Sequence, residues 1–421
     1  MYGVSIDDTC PKMAKVLTAM EGDTVSGNTT EVLIIGSGVQ GGFTAYHAAK
    51  QGRKVLVLER AEPGVEPAAS WASAGGVRRQ GRHAAEVPLA IEAIARWETL
   101  EEELEADLKY RRDGQLRLAE SDEAAEAIRE FVRIQNENGL TDIRLVDRAE
   151  ALEIVPGLND NVVAGSYSPE DGHANPPATT KAAAAAAQRH GAVYRNGVQV
   201  VSLIQEGSRV IGVRTADGEE IHAEETVLTA GAWGDEIAAS IGIRLPIRTR
   251  VLQMLLSTPA EPGLLKPVIG AIGRQLSLKQ LPGGEFFLGG GWLGDATPDR
   301  RGYTLRQSSE DGNWAAATGL LPAVGEQKIA RKWGGLEGIS YDEIPFIGRA
   351  PGIDGLTIAA GFTGHGFAIS PAVGRAIADL IAGKPVPELD GLKLERISTF
   401  DPEDVERFIN EPAAEQTAPA G

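Results

Sequence analysis

The sequence has a single cysteine, Cys10, so no intramolecular disulfide can form and a cysteine-rich metal site is excluded. No stretch reaches the roughly 18–20 apolar residues of a membrane-spanning helix. The first 30 residues carry Asp7, Asp8, Lys12, Lys15, Glu21 and Asp23 and lack the apolar run of a secretory signal. Lysine and arginine total 41 against 59 aspartates and glutamates, a formal charge of −18, which argues against a nucleic-acid partner because phosphate binding needs clustered cations. Such acidity reports solubility and still leaves room for a local basic pocket. Six histidines (His47, His83, His173, His190, His222 and His365) show no metal-ligand spacing, so no metal is expected. The compartment expected from these absences is reducing and cytoplasmic.

What is present describes a globular chain. At 421 residues, with 42% hydrophobic and 24% charged side chains, two domains are expected. Residues 1–30 read as an extension. Glu31-Val32-Leu33-Ile34-Ile35 is a short apolar run of the kind that forms a buried parallel strand, and Lys54 to Glu59 is a second. Between them Phe43 to Gln51 is helical in composition and Gly52 stops it. Residues 84–138 carry helical spacing with many carboxylates, and an alanine-rich packing helix spans 178–190. Alternating segments at Val198–Ile204 and Arg209–Thr215 precede the strand Glu225–Thr229. Residues 243–335 suggest a second, mainly antiparallel sheet; Leu356–Ala360 is another buried strand, leading to a helix from Ser370 to Ala382.

Gly36-Ser37-Gly38-Val39-Gln40-Gly41 follows the first strand and opens the first helix, the setting in which G-x-G-x-x-G binds a dinucleotide. Gly36 permits the tight turn, Gly38 lets backbone N–H groups approach a pyrophosphate, and Gly41 brings helix and strand together. The helix N-terminus, with Val39 and Gln40 in its first turn, offers free donors and a positive dipole end. Glu59, followed by Arg60, falls 23 residues after Gly36, where its carboxylate can accept from ribose hydroxyls. Glu59 alone suits NAD or FAD.

Three further blocks favour flavin: Ser70 to Arg78, including Ala74, Gly75 and Gly76; Val227 to Trp233, including Ala230 and Gly231; and Trp333-Gly334-Gly335-Leu336 with Ile344–Gly348 and Gly361 to Phe367. With the Gly36–Glu59 unit they make the chain resemble the D-amino-acid oxidase superfamily from about 31 to 390, in particular its glycine oxidase, sarcosine oxidase and dimethylglycine dehydrogenase-like branches. The resemblance implies an α/β fold: a Rossmann-like FAD-binding domain (31–83, 150–242 and 336–400) with an inserted antiparallel-sheet substrate domain (84–149 and 243–335) and a tail at 401–421. It implies that Ser70–Gly76, Ala230, Gly231, Trp233, Gly335, Gly361, Gly364, His365, Gly366 and Phe367 line the flavin, and that Val200 contacts the adenine. It also implies non-covalent FAD, because Cys10 lies outside the resembling region and Ala72 stands where dimethylglycine-dehydrogenase-like chains have the linking histidine.

Departures from the family pattern bear on the substrate. Glu337 replaces the carboxylate-binding Arg of glycine-oxidase-like members, Ala368 replaces a Lys of sarcosine-oxidase-like members, and Phe287 stands where some have an oxygen-activating Lys. Another cation must then hold a substrate carboxylate: Arg78 first, with Arg274 and Lys279 as alternatives. Arg79 and Arg82 read as surface residues, His173 as part of a turn, and His365 as able to polarise flavin or substrate. The expected activity is removal of a hydride from the C–N bond of an N-substituted glycine (sarcosine- or iminodiacetate-like), giving an imine that water hydrolyses. Alternatives are a D-amino-acid or proline-type dehydrogenase, the flavin-binding β subunit of a heteromeric amine dehydrogenase, and a flavoprotein whose FAD is structural. Expected partners are a small anionic amine or amino acid and either O2 or an electron-accepting protein.

Overall fold

The computed structural model describes residues 29–411, so Cys10, nearly all of the 1–30 extension and the last part of the tail lie outside the described residues. The fold opens with β1 (Thr29–Ile35), α1 (Val39–Lys50) and β2 (Val55–Glu59). Next come α2 (Ala69–Ala72), β3 (Gly76–Val77), α3 (Val87–Trp97), β4 (Gln115–Ala119), α4 (Asp122–Glu137) and β5 (Arg144–Asp147). β6 (Ala164–Ser168), β7 (Gly172–His173) and α5 (Pro176–Arg189) precede β8 (Val193–Asn196), β9 (Val200–Glu206), β10 (Arg209–Thr215) and β11 (Glu220–Leu228). Then follow β12 (Ile247–Pro259), β13 (Val268–Ala271), β14 (Arg274–Gln280), β15 (Glu285–Gly289), β16 (Leu293–Ala296), β17 (Tyr303–Thr304) and α6 (Gln307–Leu320). The chain continues through β18 (Ile329–Ser340), β19 (Phe346–Arg349), β20 (Leu356–Ala360), α7 (Gly366–Ile381) and α8 (Pro402–Asn410).

The first sheet runs β19-β20-β11-β1-β2-β8, with β9 and β10 attached through β11. β1 is parallel to both β2 and β11, with Ile34 opposite Val57 and Val227. Its continuous apolar run is explained by burial on both faces. Val32, Ile34 and Val57 pack with Phe43, Ala183 and Ile377 of the helices, whereas Leu33, Leu56 and Leu58 pack with Leu203 and Val213 of the β9–β10 hairpin. α7 crosses α1 so closely that a Cβ on Gly374 would lie 2.4 Å from that of Phe43.

The second sheet runs β17-β16-β12-β15-β14-β13-β4-β6-β5, with β18 also paired to β12. Its pairings are antiparallel apart from β13 with β4. The structure therefore corrects the helical reading of 84–138, because Gln115–Ala119 is a strand between α3 and α4. Five residues of alternation flanked by helical sequence carry too little periodic signal, and pairing with β6 and β13 decides them. Membership of this sheet extends to β6 and to Ser340 at the end of β18, past positions 149 and 335 at which the sequence was divided. Residues 402–410 of the expected tail form α8, whose Phe408 ring stacks edge-on to Tyr341 and lies 4.1 Å under the guanidinium of Arg248.

Candidate active site

A cavity opens at the carboxyl ends of β1, β2 and β11, where open α/β sheets bind their ligands. The glycine loop shapes one wall. Gly36 has φ +92°, and a Cβ there would sit 2.8 Å from the Thr229 carbonyl oxygen; one on Gly41 would sit 2.0 Å from that of Gly36. Only glycine fits either place. Thr229 Oγ1 locks the crossing by hydrogen-bonding to the carbonyl oxygens of Ile35 and Gly36, each at 3.0 Å. Glu59 is held at the loop itself: Oε2 accepts from Ser37 N–H at 2.6 Å and Oε1 from Ala61 N–H at 2.9 Å. Ser70 Oγ accepts from Val39 N–H at 3.0 Å, joining the second block to the first turn of α1.

The cavity's two ends differ in chemistry. At one, Val198, Gln199 and Val200 face Trp233, over which the Arg60 guanidinium lies at 4.2 Å, a flat apolar slot suited to adenine. At the other, Ser73, Leu336, Glu337, Phe362, Gly364, Gly366 and Phe367 form the wall. Gln40 Oε1, buried on the lining, has no hydrogen-bond partner among the described residues, as expected of a polar group that meets a bound dinucleotide.

α7 begins at Gly366 and not at the expected Ser370. Pro371 lies inside it and leaves the Phe367 carbonyl without its helical N–H; Ser370 Oγ supplies the missing hydrogen bond at 2.7 Å. The helix N-terminus thus reaches the cavity, tied to α1 by Gln40 Nε2, which donates to the Gly366 carbonyl at 2.9 Å.

Of the residues expected at the cofactor, Gly36, Gly38, Val39, Gln40, Glu59, Arg60 and Ser70 line the cavity, as do Val200, Ala230, Gly231, Trp233, Gly364, Gly366 and Phe367. Gly41, Ala74, Gly75, Gly76, Gly335, Gly361 and His365 are not on its lining. Several of these act from behind. Gly75, at φ +70°, turns the chain where a Cβ would meet the Ala174 carbonyl at 2.2 Å, and Gly335 lets β18 approach Ala72.

His365 Nδ1 stands 3.1 Å from both Arg82 Nη1 and Glu86 Oε1. Contrary to the surface reading of the sequence, Arg82 is buried, and its Nη1 donates to the His365 carbonyl at 2.9 Å and to Glu86 at 3.2 Å. Burial would raise the Glu86 carboxyl, but hydrogen bonding from His365 and the charge of Arg82 bring it down to about 2. Burial lowers His365 and favours its neutral form. Arg79 pairs with Asp142.

Glu337 lines the cavity opposite Arg250 of β12, yet Arg250 gives its guanidinium to the carbonyl oxygens of Glu411 (2.7 Å) and Thr249 (3.2 Å). Burial raises Glu337 to about 7 against the opposing Gly364 N–H. Lys279, only 5% exposed, sits over the Phe287 ring at 5.1 Å, and burial lowers it to about 7. Arg78 donates to the carbonyl oxygens of Gln80 (2.6 Å) and Gly81 (3.3 Å). Arg274 is ion-paired with Glu120 and is not on the cavity lining, and His173 belongs to β7, paired with Gly76 of β3, not to a turn. The Arg82–Glu86 pair had no sequence signal beyond its i,i+4 spacing, whereas Thr229 lies within the Val227–Trp233 block, which did not reveal its role in locking the crossing.

Residues 31–380 match the DAO family, described as FAD dependent oxidoreductase. The chain belongs to this family. It is 29% identical over 367 residues to glycine oxidase of Pseudomonas aeruginosa, covering 84% of this chain and 95% of that one. It is 28% identical over 388 residues to the sarcosine oxidase subunit beta of an Arthrobacter species, covering 88% and 91%. Among solved structures, L-proline dehydrogenase of P. horikoshii superposes with a TM-score of 0.81 at 29% identity, covering 88% of this chain and 98% of that one. The protein is an FAD-dependent oxidoreductase acting on the C–N bond of amino acids or amines. Among the described residues no helix is long and apolar enough to cross a membrane.

Proposed function

We propose that the substrate is an N-substituted glycine of the sarcosine or iminodiacetate kind, oxidised at its C–N bond to an imine that water hydrolyses. The observation that carries this reading is Glu337, a carboxyl in the cavity wall with no cationic partner among the described residues; Arg78 and Lys279, which lie off the cavity lining, are the cations assigned to the substrate carboxylate. Bound FAD supplies the acceptor for the hydride. Lys279 and Arg78 attract and orient the substrate carboxylate, with the guanidinium able to engage it by two parallel hydrogen bonds. Glu337, ionised above about pH 7, accepts the proton of the substrate ammonium and leaves the amine neutral with its lone pair free. The N-terminus of α7 contributes partial positive charge at the same end, and Arg82 and Glu86 hold in place the His365 that precedes it, whose burial favours the neutral imidazole. FAD is taken to be held non-covalently, consistent with Ala72 at the linking position.

A second reading is the catalytic subunit of a heteromeric complex, supported by the likeness to a sarcosine oxidase subunit beta. A proline-type dehydrogenase is supported by the likeness to L-proline dehydrogenase. One experiment separates these readings: anaerobic visible spectra of the purified yellow protein with sarcosine, iminodiacetate, L-proline and D-alanine. Bleaching by the N-substituted glycines supports the proposal, and bleaching by proline or D-alanine alone overturns it. Readmitted air then separates oxidase from dehydrogenase.

A further inference from the structure

The adenine end of the cavity is walled by residues from both sheets. Arg60, Val198, Val200 and Trp233 stand on or beside strands of the first. Asp299 and Arg301 reach the same lining from the tip of the β16–β17 hairpin, at the edge of the second. That hairpin is short, pairing Asp295 with Thr304 and Ala296 with Tyr303, so strand pairing alone gives its tip little support. The tip is ordered from within instead. Thr297 N–H donates to the Gly302 carbonyl at 3.0 Å and Arg300 N–H to the Thr297 carbonyl at 2.8 Å. The Asp299 carboxylate accepts from Thr297 Oγ1 at 2.6 Å and from Arg301 N–H at 3.1 Å.

The remaining attachments of the hairpin run to the cofactor domain. Trp233 Nε1 donates to the Arg300 carbonyl at 2.8 Å. The Arg300 guanidinium holds Asp235 by two hydrogen bonds, at 2.9 and 3.0 Å, and reaches Glu236 at 2.9 Å. The Tyr303 hydroxyl donates to the Glu66 carboxylate. Arg301 Nη2 donates to Gln199 Oε1 at 3.0 Å, a bridge to the segment that carries Val200. The edge of one sheet is thus fastened across the slot to the other.

The charges of this end fit a particular occupant. Its acids are engaged: Glu59 by the N–H groups of Ser37 and Ala61, Asp299 within the tip, and Glu236 by Arg300. Arg60 makes no side-chain hydrogen bond or ion pair among the described residues, and it lies near enough to Arg301 for the two cations to repel. Guanidinium planes stack on flat π systems, and an adenine bearing a diphosphate offsets repulsion between two cations.

We propose that the β16–β17 hairpin is a clasp on the adenosine diphosphate half of FAD, with Arg301 as its contact residue, so that the chain retains the dinucleotide flavin in preference to the mononucleotide. The clasp concerns retention of the cofactor and stands whichever amine is oxidised.

Two measurements test it. Release of FAD from the diluted holoprotein, followed by flavin fluorescence, is expected to be on the order of tenfold faster in R301A, with R301K intermediate. D235N, which loosens the Arg300 anchor and leaves the cavity lining intact, is expected to speed release in the same direction. Affinity of the flavin-free protein for FMN, which lacks the adenosine, is expected to stay within about twofold in R301A. A folded R301A that releases FAD at the wild-type rate overturns the clasp, and so does an equal loss of FAD and FMN affinity. The second measurement needs no variant. Hydrogen exchange of the flavin-free wild type is expected to slow at the amides of Arg300 to Gly302 when ADP is added, and not when FMN is added. Saturating ADP that leaves those amides exchanging at the unliganded rate overturns the clasp even if R301A does not fold.

Discussion

Arg82 Nη1 lies 2.9 Å from the carbonyl oxygen of His365, a bond that spans 283 positions of sequence and fastens the loop after β3 to the N-terminus of α7. Glu86 completes the cluster. Arg82 and Glu86 expose only 1% and 2% of their side chains, so removing one strands a buried charge. R82M and E86Q should each destabilise the fold by about 3–5 kcal/mol in chemical denaturation. The double variant R82M/E86Q should lose less than the two single losses added together. Strict additivity would show that the pair is not coupled.

The same cluster sets an acid limit. Glu86 has a folded pKa of about 2 against an ordinary 4.5, so it favours the native state fully above about pH 4.5 and loses that contribution as the pH falls towards 2. E86Q should flatten the denaturation midpoint across that window relative to the wild type. A wild-type midpoint that does not fall faster than that of E86Q would contradict the assignment.

Two glycines of the cofactor loop should respond differently. A methyl on Gly41 meets the Gly36 carbonyl at 2.0 Å, whereas one on Gly38 meets only the Ser70 hydroxyl at 3.2 Å. G41A should purify without colour and resist FAD loading. G38A should retain flavin at reduced affinity, on the order of tenfold (about 1.4 kcal/mol). Absorbance ratios of the purified proteins check both, and a fully yellow G41A would refute the close-approach argument.

Glu337 ionises near pH 7 and has no cationic partner among the described residues. The rate of flavin reduction by sarcosine under anaerobic stopped flow should therefore rise through about pH 7, as the carboxylate forms and accepts the ammonium proton. E337Q should abolish that limb and lower the rate at pH 8 by about 10²–10⁴-fold. An unaltered limb in E337Q would assign the ionisation to another group, Lys279 first.

Ser370 is expected to matter although it touches no cofactor. S370A leaves the Phe367 carbonyl, already deprived by Pro371, without a donor in a buried helix. Thermal unfolding should register a loss of about 1–3 kcal/mol, and S370T should restore most of it. A neutral S370A would mean that water reaches that carbonyl.

Local rules made much of this protein legible in its sequence. The strand–glycine loop–helix–strand–acid unit was readable because each part obeys a short-range constraint: a doubly buried run, a turn without room for Cβ, and a carboxylate at a fixed strand end. Family blocks then pointed to FAD chemistry. Tertiary structure alone decided the rest. Gln115–Ala119 is a strand only because β6 and β13 pair with it, and α7 can start at Gly366 only because Ser370 covers the carbonyl that Pro371 exposes. Arg274, Arg82 and Lys279 are equally charged letters in a sequence; pairing with Glu120, burial against His365 and isolation over an aromatic ring make them a surface tie, a buried brace and a free cation. Charge can be counted along a chain, but its counter-ion is chosen only when distant segments meet.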